Sequence, residues 1–126
     1  WDDFVVGAME AVLQTAFKPG LAYLYLGSSS GFDAEPSVTL GGFTGHTSSD
    51  RLGWDVAPAG DFDGDGIDDL AVLARYEDKP GTFGAGWNDP GDCGTGSRND
   101  AGAIYVWRGT STGEPLLSEP SFIIFG

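Results

Sequence analysis

Short aliphatic and aromatic runs alternate along the whole chain with stretches rich in Gly and Asp. Leu21 to Leu26, Trp54 to Ala59 and Ala103 to Trp107 are such runs, each with Gly at a boundary. Runs of this length are too short for a typical helix. Their Gly boundaries and their aromatic and branched content predict strands. Segment 9–17 is the one stretch compatible with a helical turn.

The runs repeat in order. Trp1-Asp2-Asp3-Phe4-Val5-Val6-Gly7-Ala8 aligns with Ile67-Asp68-Asp69-Leu70-Ala71-Val72-Leu73-Ala74. Gly20-Leu21-Ala22-Tyr23-Leu24-Tyr25-Leu26-Gly27 aligns with Gly102-Ala103-Ile104-Tyr105-Val106-Trp107-Arg108-Gly109. Pro36 to Leu40 then aligns with Pro120 to Ile124. With the strands of one unit named A to D, the second copy supplies A at 54–59, B at 69–74, C at 103–107 and D at 122–125. The first copy supplies B at 3–8, C at 21–26 and D at 37–40. A four-stranded antiparallel unit repeated along a chain predicts an all-β fold of β-propeller blades, here about one and three-quarters. The expected division is a partial blade at 1–42 and a complete blade at 43–126. A β-sandwich also accommodates short, regularly spaced strands, but leaves the repeat unexplained.

Composition narrows the partners. The chain has 126 residues, 21 Gly and 7 Pro, which predicts many turns. Six Lys plus Arg against 19 Asp plus Glu give a net charge of −13. That disfavours nucleic acid, whose phosphates need basic clusters, and anionic membrane surfaces. No transmembrane run is present, so membrane insertion is not expected. The acidity suits a hard cation. Cys93 is the only Cys, so an internal disulfide is excluded and a free thiol is expected.

The densest chemistry lies at Asp61-Phe62-Asp63-Gly64-Asp65-Gly66-Ile67-Asp68-Asp69. Alternate Asp at 61, 63 and 65 aim carboxylates inward as the chain curls, and Gly66 permits the sharp turn. Ile67 offers only its carbonyl, and Asp69 closes the shell. Four carboxylates and a carbonyl form an all-oxygen site that favours Ca2+ over zinc or copper. An EF-hand starts alike, but its twelfth position needs Glu, whereas Val72 stands there inside a strand-like run. The alternative is an Asp/Gly hairpin without metal, in which four facing carboxylates repel one another.

Trp54 to Ala74 resembles the FG-GAP repeat of integrin α-type propellers. Leu52-Gly53 stands where that family has Phe-Gly, and the loop pattern is matched at Asp61, Asp63, Asp65, Ile67 and Asp69. The family's Gly-Ala-Pro end survives only in part, as Gly7-Ala8-Met9 and Leu73-Ala74-Arg75. The resemblance implies a calcium-binding propeller used in adhesion, in sugar binding, or as an accessory domain of hydrolases. It also implies ligand binding on the face opposite the calcium loops.

Connectivity gives the same face. In a meander, A–B and C–D loops share one end, and B–C and D–A loops the other. Residues 9–19, 41–53 and 75–101 therefore project away from the metal loop. The two B–C loops have 11 and 27 residues. Loops as long as the second carry function more often than short ones do. Trp87, Arg75, Tyr76 and His46 are the candidate ligand contacts, although Trp87 also suits covering a blade edge and His46, the only His, suits an exposed loop. Asp89, Asp92, Asn99 and Asp100 lack the tight spacing of a second cation site. Trp54 and Trp107 are expected in the core. No catalytic Ser, Cys or carboxylate arrangement is recognisable, so the chain is expected not to be an enzyme.

The expected function is a calcium-stabilised extracellular or cell-surface propeller segment serving adhesion or ligand binding. A structural subunit of a larger assembly and an accessory domain of a secreted hydrolase are the alternatives. Seven strands are readable where two blades need eight, and the first copy lacks the equivalent of 43–66. Partners are therefore expected to be other propeller blades or neighbouring copies, with a protein or glycan as possible ligand.

Overall fold

A computed structural model of the chain describes residues 2–11, 20–41, 50–77, 102–110 and 119–126. The described residues form seven strands: β1 (Phe4–Ala8), β2 (Leu21–Tyr25), β3 (Val38–Gly41), β4 (Leu52–Gly60), β5 (Asp69–Ala74), β6 (Ala103–Trp107) and β7 (Phe122–Phe125). They make two antiparallel meanders, β1-β2-β3 and β4-β5-β6-β7. The fold is all-β, with sheets of three and four strands in the manner of partial propeller blades. Strand A of the sequence reading begins two residues earlier than expected, at Leu52. Most of the segment read as a possible helical turn lies outside the described residues.

The pairing registers repeat as the sequence does. Phe4 faces Tyr25 and Ala8 faces Leu21 in the first sheet; Leu70 faces Trp107 and Ala74 faces Ala103 in the second. Leu24 faces Val38 as Val106 faces Phe122, and Leu21 faces Gly41 as Ala103 faces Phe125. A one-residue slip in any pair would turn its core positions to solvent, so hydrophobic alternation enforces this register.

The core lies between the sheets. Ala22, Leu24, Val38 and Leu40 of the first sheet join Leu52, Val72, Ala74, Ala103, Tyr105 and Trp107 of the second in one buried cluster. Leu40, Leu52, Val72, Tyr105 and Trp107 are its largest fully buried side chains. Burying each aliphatic one contributes roughly 1.5–3 kcal/mol. Tyr105 and Trp107, one pleat apart, stack with centroids 5.9 Å apart.

Two close approaches hold the sheets together. Gly20 bridges Leu52 in parallel. At Gly7 a Cβ would lie 2.3 Å from the Gly53 carbonyl oxygen, so β1 and β4 meet backbone to backbone where no side chain fits. β4 is an edge strand with irregular register at Leu52/Asp55 and Pro58/Gly60. Pro58 is tolerated there because an edge strand spares an N–H.

β5 separates two ends of the second sheet. Residues 61–68 join β4 to β5 at one end, and the chain leaves β5 through Arg75 at the other. Residues 78–101, with the tip of the long loop, lie outside the described residues.

Candidate functional site

The loop from Asp61 to Asp68 is organised by its own carboxylates. Asp61 Oδ1 accepts from the Gly64 N–H at 2.7 Å and Asp61 Oδ2 from the Gly66 N–H at 2.9 Å. Asp63 Oδ1 accepts from the Asp65 N–H at 3.1 Å, and Asp65 Oδ1 from the Ile67 N–H at 2.9 Å. Gly64 and Gly66 hold φ at 81° and 90°, a region open to glycine at little cost. The curl brings one carboxylate oxygen from each of Asp61, Asp63 and Asp65 within 4.8 Å of one another. Such a group of hard oxygen donors is able to hold a metal ion.

Asp63 is the informative member. Its side chain is only 6% exposed, and Arg108, 53% exposed, places its guanidinium Nε against Oδ2. That contact is a charge pair without the geometry of a hydrogen bond, and Asp63 Oδ2 is a buried oxygen with no hydrogen-bond donor. A buried carboxylate oxygen whose charge partner is a half-exposed guanidinium stands where a cation is favoured.

Asp69 stands differently. It is 3% exposed, its Oδ2 accepts from the Phe62 N–H and its Oδ1 from the Gly109 N–H, each at 2.8 Å. It therefore fastens the first turn of the loop and ties the loop to the residues after β6. Ile67, the expected carbonyl donor, follows the turn and packs beside Gly109. A Cβ on Gly109 would lie 2.3 Å from the Asp68 carbonyl oxygen and 2.6 Å from Ile67 Cγ2. Arg108 and Gly109 were not singled out as site residues by the sequence. Their only signal was their place at the end of strand C, which a meander returns to the loop between A and B.

At the other end of β5 the structure gathers a second group. Arg75 lies 4.2 Å over the Trp54 ring and 5.1 Å over Tyr76; Arg51 lies 5.9 Å and 5.1 Å over the same two rings. Trp54 and Tyr76 meet edge to face at 6.3 Å. Arg51 has φ of 57°, an uncommon value for a non-Gly residue. Tyr76 N–H donates to the Asp50 carbonyl at 3.1 Å. Arg75 and Tyr76 are thus brought together with Arg51 and Trp54, which the sequence reading did not place among the ligand contacts. Trp107 is core as expected, but Trp54 is only half-buried and serves as a platform for the two guanidinium groups. Its position beside the bulge at Leu52/Asp55 takes it out of regular alternation. Trp87, His46, Cys93 and the polar residues Asp89, Asp92, Asn99 and Asp100 lie outside the described residues.

A four-stranded meander with a carboxylate loop between its first two strands is a propeller-type blade with a candidate cation site. Residues 52–107 match the family model of the FG-GAP repeat. The chain carries a repeat of that family, and the match spans β4, β5, β6 and the loop of Asp61, Asp63 and Asp65. Among the described residues, no helix is long and apolar enough to cross a membrane.

Proposed function

We propose that the chain is a calcium-stabilised, non-catalytic propeller segment that works outside the cell and binds a protein or glycan partner. The observation that carries the calcium part is the three-carboxylate group itself, with one oxygen each from Asp61, Asp63 and Asp65 within 4.8 Å of one another. The residues to hold the ion are Asp61, Asp63 and Asp65, with the Ile67 carbonyl and Asp69 completing the set. Bound calcium supplies a fixed divalent charge that offsets carboxylate repulsion and stiffens the turn between β4 and β5. The family supports this reading, since FG-GAP repeats bind calcium, are typically non-catalytic and are usually found in extracellular domains.

The ligand part rests on the group at the opposite end of β5. Two guanidinium groups over two aromatic rings offer planar, weakly hydrated donors beside stacking surface. That chemistry suits an acidic glycan or acidic peptide, which the net charge of −13 elsewhere would repel.

Two measurements test the reading separately. Calcium should raise the melting temperature of the native chain and excess chelator should lower it, because a ligand that binds only the folded state stabilises it. An identical melt in both, with Asp61→Ala equally silent, overturns the calcium assignment. An array of acidic and neutral glycans and peptides, probed with the native chain and with an Arg51→Ala/Arg75→Ala variant, tests the ligand face. Binding that the double variant retains in full overturns that assignment.

A further inference from the structure

Two arginines of a chain with a net charge of −13 meet on one pair of aromatic rings. Among the described residues the contact of Arg108 with Asp63 is the one salt bridge, so no carboxylate there neutralises Arg51 or Arg75. Their acidic neighbours in sequence, Asp50 and Glu77, are buried, and Glu77 accepts from the Tyr105 hydroxyl in the core. Arg75 is exposed and Arg51 half-buried.

Backbone contacts fix where the two guanidinium groups stand. Arg51 keeps its left-handed φ of 57° against Gly20, a glycine that can take no side chain there. A Cβ on Gly20 would lie 2.1 Å from the Leu52 carbonyl oxygen and 2.9 Å from the Arg51 carbonyl carbon. The bond from the Tyr76 N–H to the Asp50 carbonyl ties the segment that carries Arg51 to the one that carries Arg75. Both guanidinium carbons lie 5.1 Å from the Tyr76 ring centroid, so their separation is at most twice that distance. A guanidinium stacked on a ring keeps its in-plane N–H donors at its edge, and a carboxylate meets such an edge with two parallel hydrogen bonds.

We propose that Arg51 and Arg75 bind an acidic peptide segment by gripping two of its side-chain carboxylates with their guanidinium edges. The inference rests on the ligand-face reading given above and names the occupant of that face. Alternate residues of an extended segment point to one side, roughly 7 Å apart, which suits two guanidinium groups held on shared rings. The recognised pattern is therefore two acidic residues separated by one other. A peptide is favoured over a sugar because a sugar needs bare aromatic surface to stack on, and here both rings already carry guanidinium groups. The hold of Gly20 on the Arg51 backbone lowers the ordering cost that a long side chain meets on binding. The pair is separate from the metal loop, which lies at the other end of β5.

Fluorescence anisotropy at physiological salt is the test, with three labelled probes. One is a short peptide with Glu at alternate positions, one is the same peptide with Gln in place of Glu, and one is an oligouronate. The native chain should bind the Glu peptide at least about tenfold more tightly than either other probe, the loss expected when a charge-assisted hydrogen bond is missing. Arg75→Lys keeps the charge at an exposed position but loses the fork, and should weaken the Glu peptide by about tenfold. Circular dichroism establishes that the variant folds, and Arg51→Lys is the second variant should it not. A native chain that binds no Glu peptide, or binds the oligouronate as tightly, overturns the proposal. Binding kept in full by Arg75→Lys and Arg51→Lys but lost in Arg51→Ala/Arg75→Ala also overturns it, because recognition is then by charge alone, while the ligand-face reading stands. Binding kept in full by the double Ala variant overturns both.

Discussion

Asp69 Oδ1 accepts the N–H of Gly109 at 2.8 Å, and its repeat equivalent Asp3 Oδ1 accepts the N–H of Gly27 at the same distance. In both sheets the carboxylate at the entry of strand B anchors the chain just past the end of strand C. Asp69 is buried, whereas Asp3 and Gly27 lie nearer solvent.

The burial difference sets a difference in cost. Asp69→Asn keeps the shape but replaces one acceptor oxygen with a donor, leaving the Phe62 or Gly109 N–H unmatched. Leaving a buried group unpaired costs about 1–3 kcal/mol, while an exposed hydrogen bond contributes about 0.5–1.5 kcal/mol at most. Urea unfolding should therefore show a clearly larger loss for Asp69→Asn than for Asp3→Asn. Equal losses would mean that Asp69 is held by solvent and not by the fold.

Gly109→Ala should destabilise by about 1–3 kcal/mol, the usual range for forcing an extra methyl group into packed surroundings. The new Cβ would strike the Asp68 carbonyl and Ile67 Cγ2, so the damage falls on the metal loop itself. Thermal melts with and without calcium read both effects: a lower melting temperature and a smaller calcium-induced rise. Gly109→Ala melting as the native chain does would refute the close approach.

Arg108 sets a positive charge beside an oxygen that is a proposed calcium ligand. Arg108→Gln removes it and should tighten calcium binding, because the cation no longer shares Asp63 with a guanidinium. Arg108 is more than half exposed, so screening limits the gain. An exposed ion pair is worth roughly 0.2–1 kcal/mol, which caps the change at about fivefold in affinity. Calorimetric titration checks the sign, and high salt should narrow the difference between Arg108→Gln and the native chain.

Tyr105 donates to Glu77 Oε2 at 2.7 Å, and both side chains are buried. Tyr105→Phe keeps the ring stacked in the core and removes only the hydroxyl. A loss of about 1.5–3 kcal/mol is expected, the usual range for a hydrogen bond to a charged group. Chemical denaturation measures it. A Tyr105→Phe variant as stable as the native chain would show that Glu77 is satisfied without the phenol.

The strands were legible because they rest on local pattern, whereas the pairing registers were not read from the sequence. Gly-bounded apolar runs gave β2, β4 and β6, and the internal repeat supplied the remaining strands. The loop carboxylates at 61, 63 and 65 were legible for the same reason, since their spacing is contiguous. Long-range partners were not. Arg108 lies far from Asp63 in sequence, and nothing in either residue's neighbourhood names the other. Trp54 was misplaced into the core because regular alternation was assumed through a strand that is irregular between Leu52 and Asp55. Arg51 escaped notice because its importance comes from a left-handed backbone that no composition rule signals.

The bases of the two loops that follow strand B are closed alike. Gly20 N–H donates to the Ala11 carbonyl at 3.3 Å, and Gly102 N–H donates to the Glu77 carbonyl at 3.0 Å. Alignment makes these one bond in two repeats, though the enclosed segments, 12–19 and 78–101, differ greatly in length. Closing a loop costs only about 0.6 kcal/mol more for each doubling of its length. The sheet below such a clamp is nearly indifferent to what is spliced above it. Natural variation, or a designer, can therefore rewrite the segment between Glu77 and Gly102 as an exchangeable insert, and the blade that carries it need not be redesigned.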